Sequence, residues 1–196
     1  MTSLAFACCG SFCTLRESID ALRRFGAETG AELTPIMSPI TRSLSTRFGG
    51  AEAFAAEVED ICGRPVLSTV AEAEPIGPKA LLDLLIIAPC TGNTLAKLAA
   101  GITDTAPTMA AKAHLRGGRP VLLAVSTNDA LGGAAKNIGA LLDRKHIYFV
   151  PFRQDAPKTK PRSCVADFSL VGPAAEAALA GEQLMPLLLG PAGGAV

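Results

Sequence analysis

With 18 basic and 18 acidic side chains among 196 residues, the chain has no net formal charge and no block of either sign, which argues against the electrostatic footprint of a nucleic-acid binder. No apolar run approaches the ~20 residues of a transmembrane helix, and residues 1–10 lack the basic start and apolar length of a secretory leader, so a cytoplasmic protein without membrane contact is expected. Hydrophobic residues reach 49% but aromatics only 5%; a core of Leu, Ile, Val and Ala suits a parallel sheet covered on both faces, and charge neutrality leaves homo-oligomerisation unopposed.

Strand and helix patterns alternate along the chain. Residues 4–8 read as a first strand ending at Gly10. Leu15, Ile19, Leu22 and Phe25 recur at helical spacing and predict a helix over 14–29, which Gly30 can close. Residues 32–37 form a second strand, halted by Ser38-Pro39. The polar stretch 41–50 has no apolar period and reads as loop, followed by a helix over 51–61. Residues 82–88 are a nearly continuous aliphatic run, hence a central strand, ended by Pro89. Helices over 93–100 and 106–115 precede a strand at 121–125 and a helix at 130–142, with Asn128 or Asp129 as its N-cap. Residues 147–151 read as the last strand, 154–163 as an exposed loop and 174–189 as a terminal helix. This predicts an α/β chain, a three-layer doubly wound parallel sheet with right-handed crossovers. One domain should span 1–189, with a disordered tail over 190–196.

In such sheets ligands sit beyond the carboxyl ends of the strands. Four segments follow a strand there: Cys9-Gly10-Ser11-Phe12-Cys13-Thr14, Ser38-Pro39-Ile40-Thr41, Pro89-Cys90-Thr91-Gly92-Asn93-Thr94 and Ser126-Thr127-Asn128-Asp129. All carry hydroxyl or amide side chains and none carries Lys or Arg. Hydroxyls and free amides at helix starts suit a phosphate. The first loop has one glycine rather than the three of a dinucleotide fingerprint, and no G-K-S/T follows, so a phosphate-bearing cofactor other than NAD is favoured. Each loop taken alone reads first as a helix cap; four at one end of a sheet point to a site. Arg42 and Arg47, in the second loop, are candidates for carboxylate recognition, against the alternative of a solvated loop. Cys9 and Cys13 are spaced C-x3-C without a second ligand pair, so no metal site is expected. Cys90 follows the central strand without a neighbouring His and reads as a buried structural thiol. His114, before Gly117-Gly118, reads as a surface residue.

Gly10-Ser11 after the first strand and the block Ala88-Pro89-Cys90-Thr91-Gly92-Asn93-Thr94-Leu95-Ala96-Lys97-Leu98-Ala99 resemble the flavoprotein family of FMN-binding cysteine decarboxylases and flavin prenyltransferases. Thr46-Arg47-Phe48-Gly49, Ser126-Thr127-Asn128-Asp129-Ala130-Leu131-Gly132 and Val150-Pro151-Phe152-Arg153-Gln154-Asp155 are similar to one branch of it, the B subunits of dipicolinate synthases, over about residues 4–189. The resemblance implies a Rossmann-like flavoprotein fold. It implies FMN held by Gly10, Ser11, Phe12, Ser38, Thr91, Asn93, Thr94, Ser126, Thr127 and Asn128. It implies oxidation of dihydrodipicolinate, a small dicarboxylate, to dipicolinate in the mother cell of a spore-forming bacterium. The partner would be the dehydrogenase-like A subunit, through which alone NADP or NAD would enter. Three departures bear on this. The decarboxylases use a His after the second strand, whereas 38–61 contains none, and of their Pro-x-Met-Asn motif only Asn128 remains. The branch also commonly carries His where Phe12 stands. The alternatives are a standalone FMN-dependent decarboxylase and a non-catalytic scaffold for the A subunit; catalytic residues are not assigned.

Overall fold

The computed structural model describes residues 2–77 and 81–190. In chain order the elements are β1 (Ser3–Cys8), α1 (Phe12–Thr29), β2 (Glu32–Met37), α2 (Pro39–Ser43), α3 (Ala51–Cys62), α4 (Val70–Ala73) with a 3-10 turn at Glu74–Ile76, β3 (Leu84–Cys90), α5 (Gly92–Ala100), α6 (Ala106–Arg116), β4 (Val121–Thr127), α7 (Ala135–Leu142), β5 (Ile147–Phe149), β6 (Phe152–Arg153), β7 (Cys164–Ala166), a 3-10 turn at Phe168–Leu170, and α8 (Val171–Leu179). Five strands run parallel in the order β2-β1-β3-β4-β5. Beyond them β4 pairs antiparallel with β7, and β7 with β6. β4 is therefore shared: Val121–Leu123 face β5, while Ser126 and Thr127 face β7.

β3 is buried along its whole length, because helices cover both faces. α1 and α8 pack together on one side, while the α4 turn, α5, α6 and α7 pack on the other. Leu84, Leu85, Ile86 and Ile87 are fully buried, each contributing roughly 1.5–3 kcal/mol by leaving water. That two-sided burial is why the segment is aliphatic without alternation. α1 shows the helical rule instead: Leu15, Ile19, Leu22 and Phe25 face the core, and Gly30 ends the helix at φ 59°. Both outcomes match the sequence expectation.

Several boundaries differ. Pro89 does not end β3; the strand runs to Cys90 through a register shift between Ile87 and Cys90, an irregularity that absorbs a residue lacking an N–H. The expected loop after β2 opens with α2, whose N-cap Ser38 accepts from the Thr41 amide at 3.4 Å. The predicted helix over 130–142 begins only at Ala135. Asp129 caps a turn rather than the helix, its Oδ2 accepting from the Gly133 amide at 2.7 Å. Residues 147–151 are not the last strand, since β6 and β7 follow. The terminal helix stops at Leu179, and the chain then runs alongside Phe152, whose amide donates to the Leu187 carbonyl at 3.0 Å. Of the expected tail, 191–196 lie outside the described residues.

Candidate functional site

The carboxyl ends of β1, β3 and β4 converge on a cleft of about 820 Å³. Gly10, Ser11 and Phe12 enter it from the β1 loop, Thr91 from the β3 loop, Ser126, Thr127 and Asn128 from β4 and its end, and Arg47 from the segment after α2. Eight of the residues singled out in the sequence thus share one wall system. Ser38 and Thr94 stand behind the surface: Ser38 Oγ meets Thr41 Oγ1 at 2.7 Å, and Thr94 Oγ1 meets Thr91 Oγ1 at 3.1 Å. Asn93 lines a smaller neighbouring recess. Arg42 does not line the cleft; its Nη1 donates to Glu52 at 2.9 Å.

The β1 and β4 loops are joined by a triangle of hydroxyls. Ser11 Oγ lies 2.7 Å from Ser126 Oγ, Thr14 Oγ1 lies 2.8 Å from Ser126 Oγ, and Thr14 Oγ1 donates to Ser11 Oγ at 3.0 Å. Ser126 can hold this position because β7 keeps the end of β4 in a ladder. Ser11 is the N-cap residue of α1, yet its side chain accepts no helix amide. Among the described residues the Phe12 and Cys13 amides have no backbone acceptor, as at any helix start. On the β3 side Thr91 does cap its helix, accepting from the Thr94 amide at 3.2 Å. Two helix N-termini and a hydroxyl cluster therefore face one cleft, a natural setting for an anion.

Two glycines let these walls close. A Cβ on Gly10 would lie 2.8 Å from Ile40 Cγ2, and one on Gly92 would lie 2.8 Å from Thr127 Oγ1. Arg47 stacks over Phe48, 4.9 Å from the ring centroid, and has no carboxylate partner among the described residues. In the same cleft, Lys160 Nζ approaches Asp155 at 3.4 Å. Burial works to raise the Asp155 carboxyl, but Ser163 and Lys160 beside it hold it below the ordinary carboxylate range. Glu17 and Asp129 complete the acidic side chains of the cleft.

Thr14, Asp155 and Lys160 went unread in the sequence as site residues. Thr14 had a signal, since it stands one helical turn from Ser11. Asp155 had only its place at the end of the block 150–155 and Lys160 had none, because the loop that carries them is brought back by two strands of two and three residues. Cys90 is a buried thiol held well above its usual range by burial, as expected of a structural cysteine. His114 is corrected: it is fully buried rather than at the surface. Neither His114 nor His146 lines the cleft.

A parallel sheet ordered β2-β1-β3-β4-β5, with a polar, glycine-walled cleft at its carboxyl edge, is a doubly wound α/β fold with its ligand site beyond the strand ends. The chain belongs to the Flavoprotein family, whose profile matches residues 2–155. It is 41% identical over 186 residues to the B subunit of dipicolinate synthase from Bacillus subtilis (strain 168), covering 95% of this chain and 92% of that protein. The crystal structure of the dipicolinate synthase B subunit from Bacillus halodurans matches with a TM-score of 0.88 and 40% identity, over 97% of both chains. An FMN-dependent cysteine decarboxylase, SpaF, shares the fold at a TM-score of 0.66 and 23% identity, over 91% of this chain and 97% of that one. No helix among the described residues is long and apolar enough to cross a membrane.

Proposed function

We propose that the chain binds FMN in the strand-end cleft and acts as the B-type subunit of a dipicolinate-forming enzyme, in the cytoplasm of the mother cell. The supporting observation is the Ser11–Thr14–Ser126 hydroxyl triangle between two helix N-termini, in a chain 41% identical to the B subunit of a dipicolinate synthase. The cleft fits the cofactor in kind: Gly10 and Gly92 stand where a Cβ would strike Ile40 or Thr127, and hydroxyls with free amides suit a monophosphate. Ser11, Thr91 and Ser126 would hold the phosphate, with Thr94 and Ser38 orienting their neighbours, Thr127 and Asn128 along the rim, and Asn93 in the adjoining recess. Bound FMN would supply a two-electron acceptor. Arg47, stacked on Phe48 and without an acidic partner, is assigned to a substrate carboxylate, which a guanidinium can grip through two N–H groups. Arg42 would join it only after leaving Glu52. The substrate is the dihydro form of a pyridine dicarboxylate. A dehydrogenase-like A subunit would be the partner and would bring NADP or NAD. A homo-oligomer is included in this reading.

The absence of either His from the cleft favours this role over a standalone decarboxylase. Titration of the purified chain with FMN should quench flavin fluorescence and raise Tm, through binding to the folded state. Arg47→Ala should weaken dicarboxylate binding about tenfold or more while leaving FMN affinity unchanged. A colourless protein whose Tm ignores FMN would leave only a scaffold for the A subunit. Release of carbon dioxide from a cysteine-ended peptide, with no partner present, would instead make the chain a decarboxylase.

A further inference from the structure

A second cavity, of about 470 Å³, lies apart from the strand-end cleft and falls within the about 300–1,000 Å³ of small-molecule sites. Its walls come from the end of α5 and the turn after it (Leu98, Ile102), from α6 (Lys112, Leu115, Arg116) and from the turn after α7 (Arg144, Lys145). Arg116 precedes the start of β4 and Lys145 the start of β5. The cavity therefore opens at the amino end of the sheet, while the flavin cleft lies at the carboxyl end. The two share no residue.

The charge of this cavity departs from that of the rest of the chain. Positive and negative side chains balance overall, and the strand-end cleft mixes both signs. Here four cations line the walls and no carboxylate does. Among the described residues none of the four has an acidic partner within salt-bridge distance. Lys112 and Arg116 stand one helical turn apart on α6. Arg144 is fixed at the rim, its Nη1 donating to the Leu98 carbonyl at 3.2 Å. Between these cations lies apolar surface from Leu98, Ile102 and Leu115, and Ile102 remains 48% exposed.

We propose that this cavity binds a nucleotide, with its phosphates among Lys112, Arg116, Arg144 and Lys145 and its base against Ile102 and Leu115. Four positive charges exceed what one carboxylate can use. Two arginines offer the forked donors that match phosphate oxygens, and the apolar wall has no purpose for an inorganic anion. The site does not depend on the flavin reading.

Calorimetric titration of the full chain with ADP, and separately with inorganic pyrophosphate, tests it at about 0.15 M salt, where long-range attraction is screened. The expected result is one saturable ADP site per chain, tighter than that for pyrophosphate, with FMN affinity unchanged by ADP. Lys112→Ala combined with Arg116→Ala, and separately Ile102→Asp, should each weaken ADP about tenfold or more. These side chains are exposed, and the single Ile102→Asp change keeps the test available if the double variant misfolds. The proposal is overturned by no saturable ADP binding, by pyrophosphate binding as tightly as ADP, by competition between ADP and FMN, or by ADP affinity unchanged in the variants that fold.

Discussion

His114 is the residue whose chemistry is furthest from its surroundings. It is fully buried on α6, and neither ring nitrogen has a hydrogen-bond partner among the described residues. Burial lowers its pKa from 6.5 to about 4, with Arg119 adding to the effect and the backbone at Pro120 and Asp83, with the Asp83 charge, opposing it. The folded pKa lies below the unfolded one, so the unfolded chain binds the extra proton between these values. Stability is then full above pH 6.5 and is lost as pH falls toward 4, by an amount on the order of 3 kcal/mol. Urea unfolding of the wild type and His114→Leu across this range should show the apolar variant losing less. Parallel pH profiles would remove His114 as the cause. Little in the sequence signals this burial, because His114 precedes a Gly-Gly turn and its neighbours Lys112 and Arg116 are exposed. Its place on the buried face was legible only from helical spacing with Ala106, Ala110 and Ala113, which are small and weakly patterned.

Elements with long periodic or continuous apolar patterns were legible: α1, β2, β3 and α3 stand within two residues of their expected bounds. Short elements were not. α4 is one turn, yet its signal is in the chain, for Thr69 and Glu72 form a capping box. β6 and β7 have two and three residues and take their place from partners distant in sequence. The helix expected to reach 189 ends ten residues earlier because Gly181 turns with φ 80° and the chain then joins β6. The candidate cleft was more legible than the elements around it, since four strand ends at one edge follow from alternation alone. Gly77 shows how tightly the short elements are set. A Cβ there would lie 2.8 Å from Ala113 Cβ and 2.9 Å from the Ala113 carbonyl, and backbone cannot swing aside as a side chain can. Gly77→Ala should cost about 1–3 kcal/mol through overpacking, read by chemical denaturation, with FMN affinity unaltered. A neutral result would mean that α6 and the turn at Glu74–Ile76 can part without penalty.

At the scale of the molecule, the last described segment closes the sheet. β5 is paired on one side by β4, and on its other side Gln183 takes the place of a strand. Its Oε1 accepts from the Phe149 amide at 2.8 Å, and its Nε2 donates to the Phe149 carbonyl at 2.7 Å. One side chain thus satisfies both backbone groups of a fully buried residue. Gln183→Ala would leave a donor and an acceptor unpaired and should cost about 1–3 kcal/mol. Gln183→Glu keeps the acceptor alone and should fall between wild type and the alanine variant. Equal thermal unfolding of all three proteins would show that water replaces the amide at no cost. No contact within the strand-end cleft is lost in either variant, so flavin affinity serves as the control.

The forked pairing of β4 has a dynamic consequence. Strand tips in an open sheet ordinarily fray, and their amides exchange with solvent protons quickly. Here Ser126 and Thr127 remain paired with Val165 and Cys164 after β5 has ended. Deuterium uptake at this tip should therefore be as slow as in the middle of β4, even in the free protein. Rapid uptake there would mean that β7 detaches. If the tip is held, the floor of the cleft is preorganised before any ligand arrives, and whatever adjusts to admit a ligand must be the surrounding loops rather than the sheet.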